Sequence, residues 1–268
     1  MGKALKTFLV LTLFAASAHA QGILPQVMQN PSQWKVNQHV TGFCNESSPA
    51  APGTKTCTAS GLSAVPAGHL LIVPISGWLT TVTGPQPGKP TMNSPTSVGG
   101  SETWVRCPAG AQSYWYWISA AYNWTDCWYV LSASGGETSV TSSITTSLYT
   151  TGEADQDIDV FDVSVAGGKV SLDASNGTGT SAGCGGTTTC STPSVTVTSA
   201  DFILTWISNP DSTMSSIGGS YTLYDVENVH VEGAFAGASG LMSGASVSWT
   251  FAGNSTNCAL STLAFKSQ

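Results

Sequence analysis

From Gly61 to the C-terminus the sequence breaks into short runs of β-branched and aromatic residues, each closed off by Gly, Pro, Asn or Ser. HLLIVPISGW (69–78), SYWYWISAAY (113–122), CWYVLSAS (127–134), TSVTSSITTSLYTT (138–151), DIDVFDVSV (157–165), SVTVTS (194–199), DFILTWI (201–207), SYTLYDV (220–226), NVHVEGAF (228–235), SVSWTFAG (246–253) and CALSTLAFK (258–266) follow this pattern. No helical period occurs after the N-terminal twenty residues. Only 9 % of residues are charged, against about a quarter in ordinary globular chains. A long solvated helix needs Glu and Lys on its outer face, so this composition excludes a helical architecture. Short β runs at close spacing predict an all-β antiparallel sandwich or barrel of about ten strands.

The N-terminus reads as an export signal. Lys3 and Lys6 supply a basic start, TFLVLTLFAA an apolar stretch, and Ala18-His19-Ala20 a small-x-small cleavage site, which places the mature start near Gln21. The apolar stretch is shorter than the ~20 residues a membrane span requires, and no later segment is long and apolar enough to cross. A secreted, extracellular protein is therefore expected. Residues 21–60 are polar and Pro-containing and read as an N-terminal arm with a local disulfide. Residues 61–268 then form one β-sandwich domain. The formal charge of −7 becomes more negative once Lys3 and Lys6 are removed, and the remaining cations are scattered. This excludes nucleic acid and anionic membranes as partners.

The chain has seven cysteines, and export favours disulfides. Local spacing suggests Cys44–Cys57, Cys107–Cys127 and Cys184–Cys190. Cys258 is left over and able to displace any of these partners. Zinc is disfavoured because no C-x2-C pair and no nearby His occur at ligand spacing.

AGHLLIVPISGW, IDVFDVSV followed by SLDAS, TPSVTVTSADFILTWI and the closing SWTFAGNSTNCALSTLAFK resemble, in order and spacing, a group of secreted bacterial proteins of the Acidobacteria type. These are jelly-roll-like β-sandwiches of mostly unassigned function, and the resemblance spans roughly the last 200 residues. The chain departs from the group over residues 79–112, where a Pro-rich loop replaces a D-x-x-G-N-x-Y segment. The resemblance implies a single jelly-roll-like sandwich and carries no catalytic residues.

Two features point to ligands. The first is aromatic. In SYWYW, Tyr114 and Tyr116 face one way and Trp115 and Trp117 the other. Trp124 lies in the polar turn candidate YNWTD and is expected to be exposed. Trp115, Trp117 and Trp124 are candidate carbohydrate-stacking rings, and the plain alternative is that they fill the core. The second is EADQDIDVFD, where Asp155, Asp157 and Asp159 alternate on one strand face. An EF-hand would next need Gly and Glu where Val160 and Ala166 stand, so that reading fails. A different calcium site or a simple solvated face remains. The in/out rule breaks at Phe161-Asp162. Either a bulge re-aims the chain there, or Asp162 is a buried carboxylate with a partner.

No G-x-S-x-G elbow occurs; of the mature histidines, His39 lies in the arm, His69 opens a buried strand and His230 sits on an alternating run, so a Ser-His-Asp triad would have to be assembled in space; and GCGGTTTC lacks the cation a phosphate loop needs. The expected function is non-catalytic extracellular binding, of polysaccharide in the first place. A self-associating subunit of an extracellular filament or matrix is the alternative. A polysaccharide hydrolase would have to draw on Asp225, Glu227 or Glu232, whose ordinary role is to keep a strand edge solvated.

Overall fold

LLIVPISGWLT carries almost no polar group on either side of the strand, and such a run is stable only with both faces covered. The computed structural model shows how this is done. It describes residues 34–46, 53–80, 89–117, 121–146, 154–179, 184, 186–192, 194–197, 200–209, 214–218, 221–224, 238–241, 248–255 and 258–268. The signal segment lies outside these residues, as do Asp225, Glu227, His230 and Glu232.

Among the described residues the chain is nearly all β, with one short 3-10 turn, and every strand pairing is antiparallel. A six-stranded sheet is ordered β1 (Trp34–Glu46), β9 (Ala154–Val165), β3 (Leu70–Thr80), β7 (Ala121–Val130) and β5 (Val105–Arg106), with β6 (Ser113–Trp117) also on β7. A three-stranded sheet has β2 (Gly53–Ser60), β8 (Ser139–Thr146) and β4 (Thr91–Val98). A four-stranded sheet runs β10 (Val170–Gly179), β16 (Ala259–Ser267), β12 (Ala200–Ser208), β14 (Ala238–Leu241). A last three-stranded sheet holds β11 (Thr187–Ser191), β15 (Ser248–Ser255) and β13 (Met214–Ile217).

These sheets stack as layers of a sandwich. On one face of the six-stranded sheet, Leu71, Ile75, Trp124 and Ile158 pack against Ala59, Val140 and Ile144 of the β2/β8/β4 sheet. On the other face, Leu70, Ile72 and Phe161 meet Phe202, Leu204 and Phe265 of the β12/β16 sheet. The far side of that sheet, at Ile207 and Leu260, meets Trp249 and Phe251 of β15. The sandwich thus continues beyond two layers and has more strands than the ten expected, several of them very short.

The arm expected over residues 21–60 is corrected from Trp34 onward. β1 pairs with β9 along its whole length, Trp34 is buried, and β2 belongs to the covering sheet. The polar residues of WKVNQHVTGF hid a strand because several of them bind buried carboxylates, as described below. Cys44 and Cys57 are joined with Cα atoms 5.5 Å apart, which ties β1 of one layer to β2 of the next. Cys107–Cys127, with a Cα separation of 5.3 Å, fastens the segment after β5 to β7.

Gly77 on β3 lies opposite Trp124 on β7. A Cβ at Gly77 would collide with Cζ2 and Cε2 of the indole and would lie 2.7 Å from the Asp155 carbonyl oxygen. The flat approach of the ring to the backbone therefore requires glycine. Gly77→Ala is expected to lower stability by about 1–3 kcal/mol through overpacking, read as an earlier midpoint in urea unfolding.

Candidate functional site

The strand β9 carries four aspartates into the interior. Asp155, Asp157, Asp159 and Asp162 are all fully buried. The expectation of a solvated acidic face is thus overturned, because β9 lies between β1 and β3 and its sheet is covered on both sides. Asp157 shares a cross-strand row with Ser76 and Thr125, and Asp155 with Trp78 and Asn123. Opposite this row, Thr125 and Ser261 hydroxyls are 2.7 Å apart, and Ser208 donates to the Gly77 carbonyl at 2.9 Å. The row forms a polar seam between two layers.

Asp159 pairs with Nε2 of His39. The imidazole also lies against Phe161 and Tyr224, with ring centroids 4.5 Å and 5.4 Å away. Burial pushes the His39 imidazole down to about 4, so at neutral pH it is uncharged and donates its Nε2–H to the carboxylate. The calcium set Asp155, Asp157 and Asp159 is corrected on geometry. Alternate residues of an extended strand stand about 7 Å apart. Among the described residues, only Cys184, Cys190 and Cys258 bring three possible ligand atoms within 4.8 Å of one another.

Asp162 faces the opposite layer. His69 Nδ1 is 2.6 Å from Oδ1, and Gln38 Nε2 donates to Oδ2 at 3.0 Å. The break in the in/out rule is therefore a partnered buried carboxylate, and β9 passes through Phe161-Asp162 in continuous register with β3. A bulge does occur nearby, but on β1, between Val36 and Gln38. It aims Gln38 at Asp162.

The aromatic candidates separate. Trp124 is not an exposed ring. NWTD is no turn but the middle of β7, and Asn123, Trp124, Thr125 and Asp126 are all buried. A ring without exposed area cannot stack on a sugar. Trp115 and Trp117 lie on β6, opposite Asn123 and Ala121, and their side chains are outside the described residues. Among the described residues of this region, Tyr114, Tyr122 and Trp128 are each half-buried on the same face, packed against the core on one side. Tyr114 and Tyr122 have centroids 6.1 Å apart.

The chain's one arginine organises this face. Arg106 Nε donates to Asp126 Oδ2 at 3.2 Å, and its Nη2 donates to the Tyr114 hydroxyl at 3.1 Å. The same hydroxyl donates to Asp126 Oδ2 at 2.8 Å. Burial, then the Asp126 charge, pushes the Tyr114 phenol far above its ordinary value, so it stays a donor. Lys89 Nζ lies 3.3 Å from the Tyr114 ring centroid, a cation–π contact. Burial and the neighbouring Arg106 lower its pKa. The result is a set of half-buried rings with fixed donors and acceptors near the β5–β6 side of the six-stranded sheet. Sequence reasoning passed over it, although a single Arg one strand away from an Asp in an aromatic run was a usable signal.

A second polar pair was also missed. The Ser134 amide and hydroxyl donate to Glu102 Oε1 at 2.6 Å and 2.7 Å, and the hydroxyl lies 3.2 Å from Oε1 of the fully buried Glu137. Burial and the hydrogen bond to Glu102 raise the Glu137 carboxyl. Burial opposes a low value at Glu102, but hydrogen bonds from Glu137 and Ser134 hold it below the ordinary range. Of the two, Glu137 is the carboxyl that takes up a proton first as pH falls.

Several disulfides are present, and no helix among the described residues is long and apolar enough to cross a membrane. Compared with protein-family models, curated proteins and solved structures, the chain matches none.

The His39 geometry sets a pH dependence. Its folded value, about 4, lies below the ordinary 6.5. Between those two values the unfolded chain binds a proton that the folded protein does not, so stability is present above the upper value and is lost as pH falls through the window. Urea midpoints measured across it should fall, with His39 accounting for about 1–3 kcal/mol. His39→Gln, which keeps a donor toward Asp159, should flatten that part of the slope.

Proposed function

We propose that the protein is an exported, non-catalytic β-sandwich that binds extracellular polysaccharide at the β5–β6–β7 face. The observation that carries this reading is the combination of half-buried Tyr114, Tyr122 and Trp128 with the fixed Arg106–Asp126–Tyr114 network. Sugars present weakly polar faces above and hydroxyls at the rim. Aromatic rings serve the first, and preorganised charged donors and acceptors serve the second. Ordering the network before binding removes part of the entropic cost of association.

The other buried charges support a non-catalytic role. Asp159 and Asp162 are each tied to a His inside the fold, which suits positioning and leaves little room for proton transfer to a substrate. The acidic balance argues against nucleic acid. Export is supported by the N-terminal sequence, the disulfides and the resemblance to secreted bacterial sandwiches.

The test is titration with a panel of neutral and acidic polysaccharides, followed by intrinsic tryptophan fluorescence and calorimetry. A binding polysaccharide is expected, and Tyr114→Ala or Trp128→Ala should each weaken it about tenfold, near 1.4 kcal/mol. No response to any glycan, or an affinity in both variants equal to that of the unmodified protein, would overturn the assignment.

A further inference from the structure

Cations are scarce and scattered in this chain, yet two of them meet at one ring. Of eight lysines and arginines in 268 residues, Lys89 and Arg106 both touch Tyr114. Lys89 Nζ lies 3.3 Å from the ring centroid, and Arg106 Nη2 donates to the hydroxyl at 3.1 Å. Asp126, the partner of Arg106, is fully buried, whereas the Arg106 side chain keeps 35 % of its surface and Lys89 is exposed. The carboxylate therefore lies beneath and the cations outermost. Asp126 is also well occupied, accepting from Arg106, the Tyr114 hydroxyl and the Cys127 amide. Among the described residues no carboxylate forms an ion pair with Lys89, whereas Lys266 pairs with Asp173.

We propose that the β5–β6–β7 face selects acidic polysaccharide, with Lys89 as the residue that recognises the anionic group of a sugar, a uronic carboxylate or a sulfate ester, while Tyr114 carries the sugar ring. The inference rests on the polysaccharide-binding reading above and adds the charge of the ligand. An ammonium has three N–H donors, and contact with a ring face leaves donors for an anion. A hydrogen bond from Lys to carboxylate or sulfate is charge-assisted and stronger than one between neutral groups. Arg106 is committed to Asp126, so it adds positive potential, and the direct contact falls to Lys89.

The plainer use of Lys89 is to cover the Tyr114 ring, and the second cation argues for more. Burial lowers the Lys89 pKa most, repulsion from Arg106 comes next, and attraction by Asp126 is the smallest of the three. Lys89 thus meets the positive end of the Arg106–Asp126 pair. Like charges held at one ring disfavour each other, and an anion beside them relieves the repulsion. The chain as a whole works against this preference. Its net charge of −7 repels an acidic polymer at long range, so tighter binding of such a polymer has to come from a local site.

The experiment compares polymers that differ only in charge, by calorimetry on the full chain with EDTA present. Polygalacturonate is set against its methyl ester, and dextran sulfate against dextran. The expected result is about tenfold tighter binding of the charged member in at least one pair, and the pair that shows it identifies the anion. The advantage should shrink as salt is raised. Lys89→Gln should remove most of it and Lys89→Arg should keep it. Equal or tighter binding of the neutral member in both pairs overturns the inference and leaves the polysaccharide reading standing. A preference that survives Lys89→Gln unchanged, or one indifferent to salt, overturns it as well. No binding of any of the four polymers overturns both.

Discussion

The constraint on which the rest of the structure depends is that the six-stranded sheet is covered on both faces. A sheet with one wet face can place a carboxylate on alternate residues at no cost. This sheet cannot. Its interior strand β9, between β1 and β3, is buried from Ala154 through Val163, so each carboxylate it carries must find a partner inside or be destabilising by several kcal/mol. The polar residues elsewhere follow from this. Thr41, Phe43 and Asn45 of β1 are aligned with the three alternating aspartates, while His39, His69 and Gln38 serve Asp159 and Asp162.

The same constraint explains how so few charges are used. Lys and Arg are scarce, and the one arginine is committed to Asp126 on the other side of the sheet from the seam. The neutral imidazole of His39 takes the place that a cation fills in most buried ion pairs. A neutral donor avoids the desolvation cost of a second ion and still satisfies one carboxylate oxygen. The interior thus gains registry from hydrogen bonds at defined rows. Opposite the apolar cores, Thr125 and Ser261 bring the same kind of specificity to the contact between two layers.

The fold class was legible in the sequence because strand signals are local. Continuous apolar runs such as LLIVPISGW and ALSTLAFK became β3 and β16 much as their composition requires. What was not legible is layer order. Alternation in DIDVFDVSV shows that two faces differ, but not whether the polar face meets water or another sheet, and that depends on β12 and β16 far along the chain. The same gap misplaced Trp124. NWTD has the composition of a turn, yet its polar residues point to the seam and to Arg106, and its indole covers Gly77. β1 was hidden for the same reason, since Gln38 and His39 look like loop residues until their aspartate partners are known. The first two cysteine pairs agreed with local spacing. The third set did not resolve into a pair, because Cys258 arrives from another sheet.

The pairing of β1 with β9 also governs the order in which the chain can fold as it is made. His39 and Asp159 are 120 residues apart, so the first strand to emerge remains an unpaired edge until the ninth is available. Long-range closure of this kind is slow and leaves strand edges exposed in the interval. Cys44 and Cys57, only 13 residues apart, can join long before that. A covalent hold on β2 keeps the waiting strand in a short loop and limits the partners it can reach. In this sense the earliest crosslink acts as an internal chaperone for the sheet that is completed last.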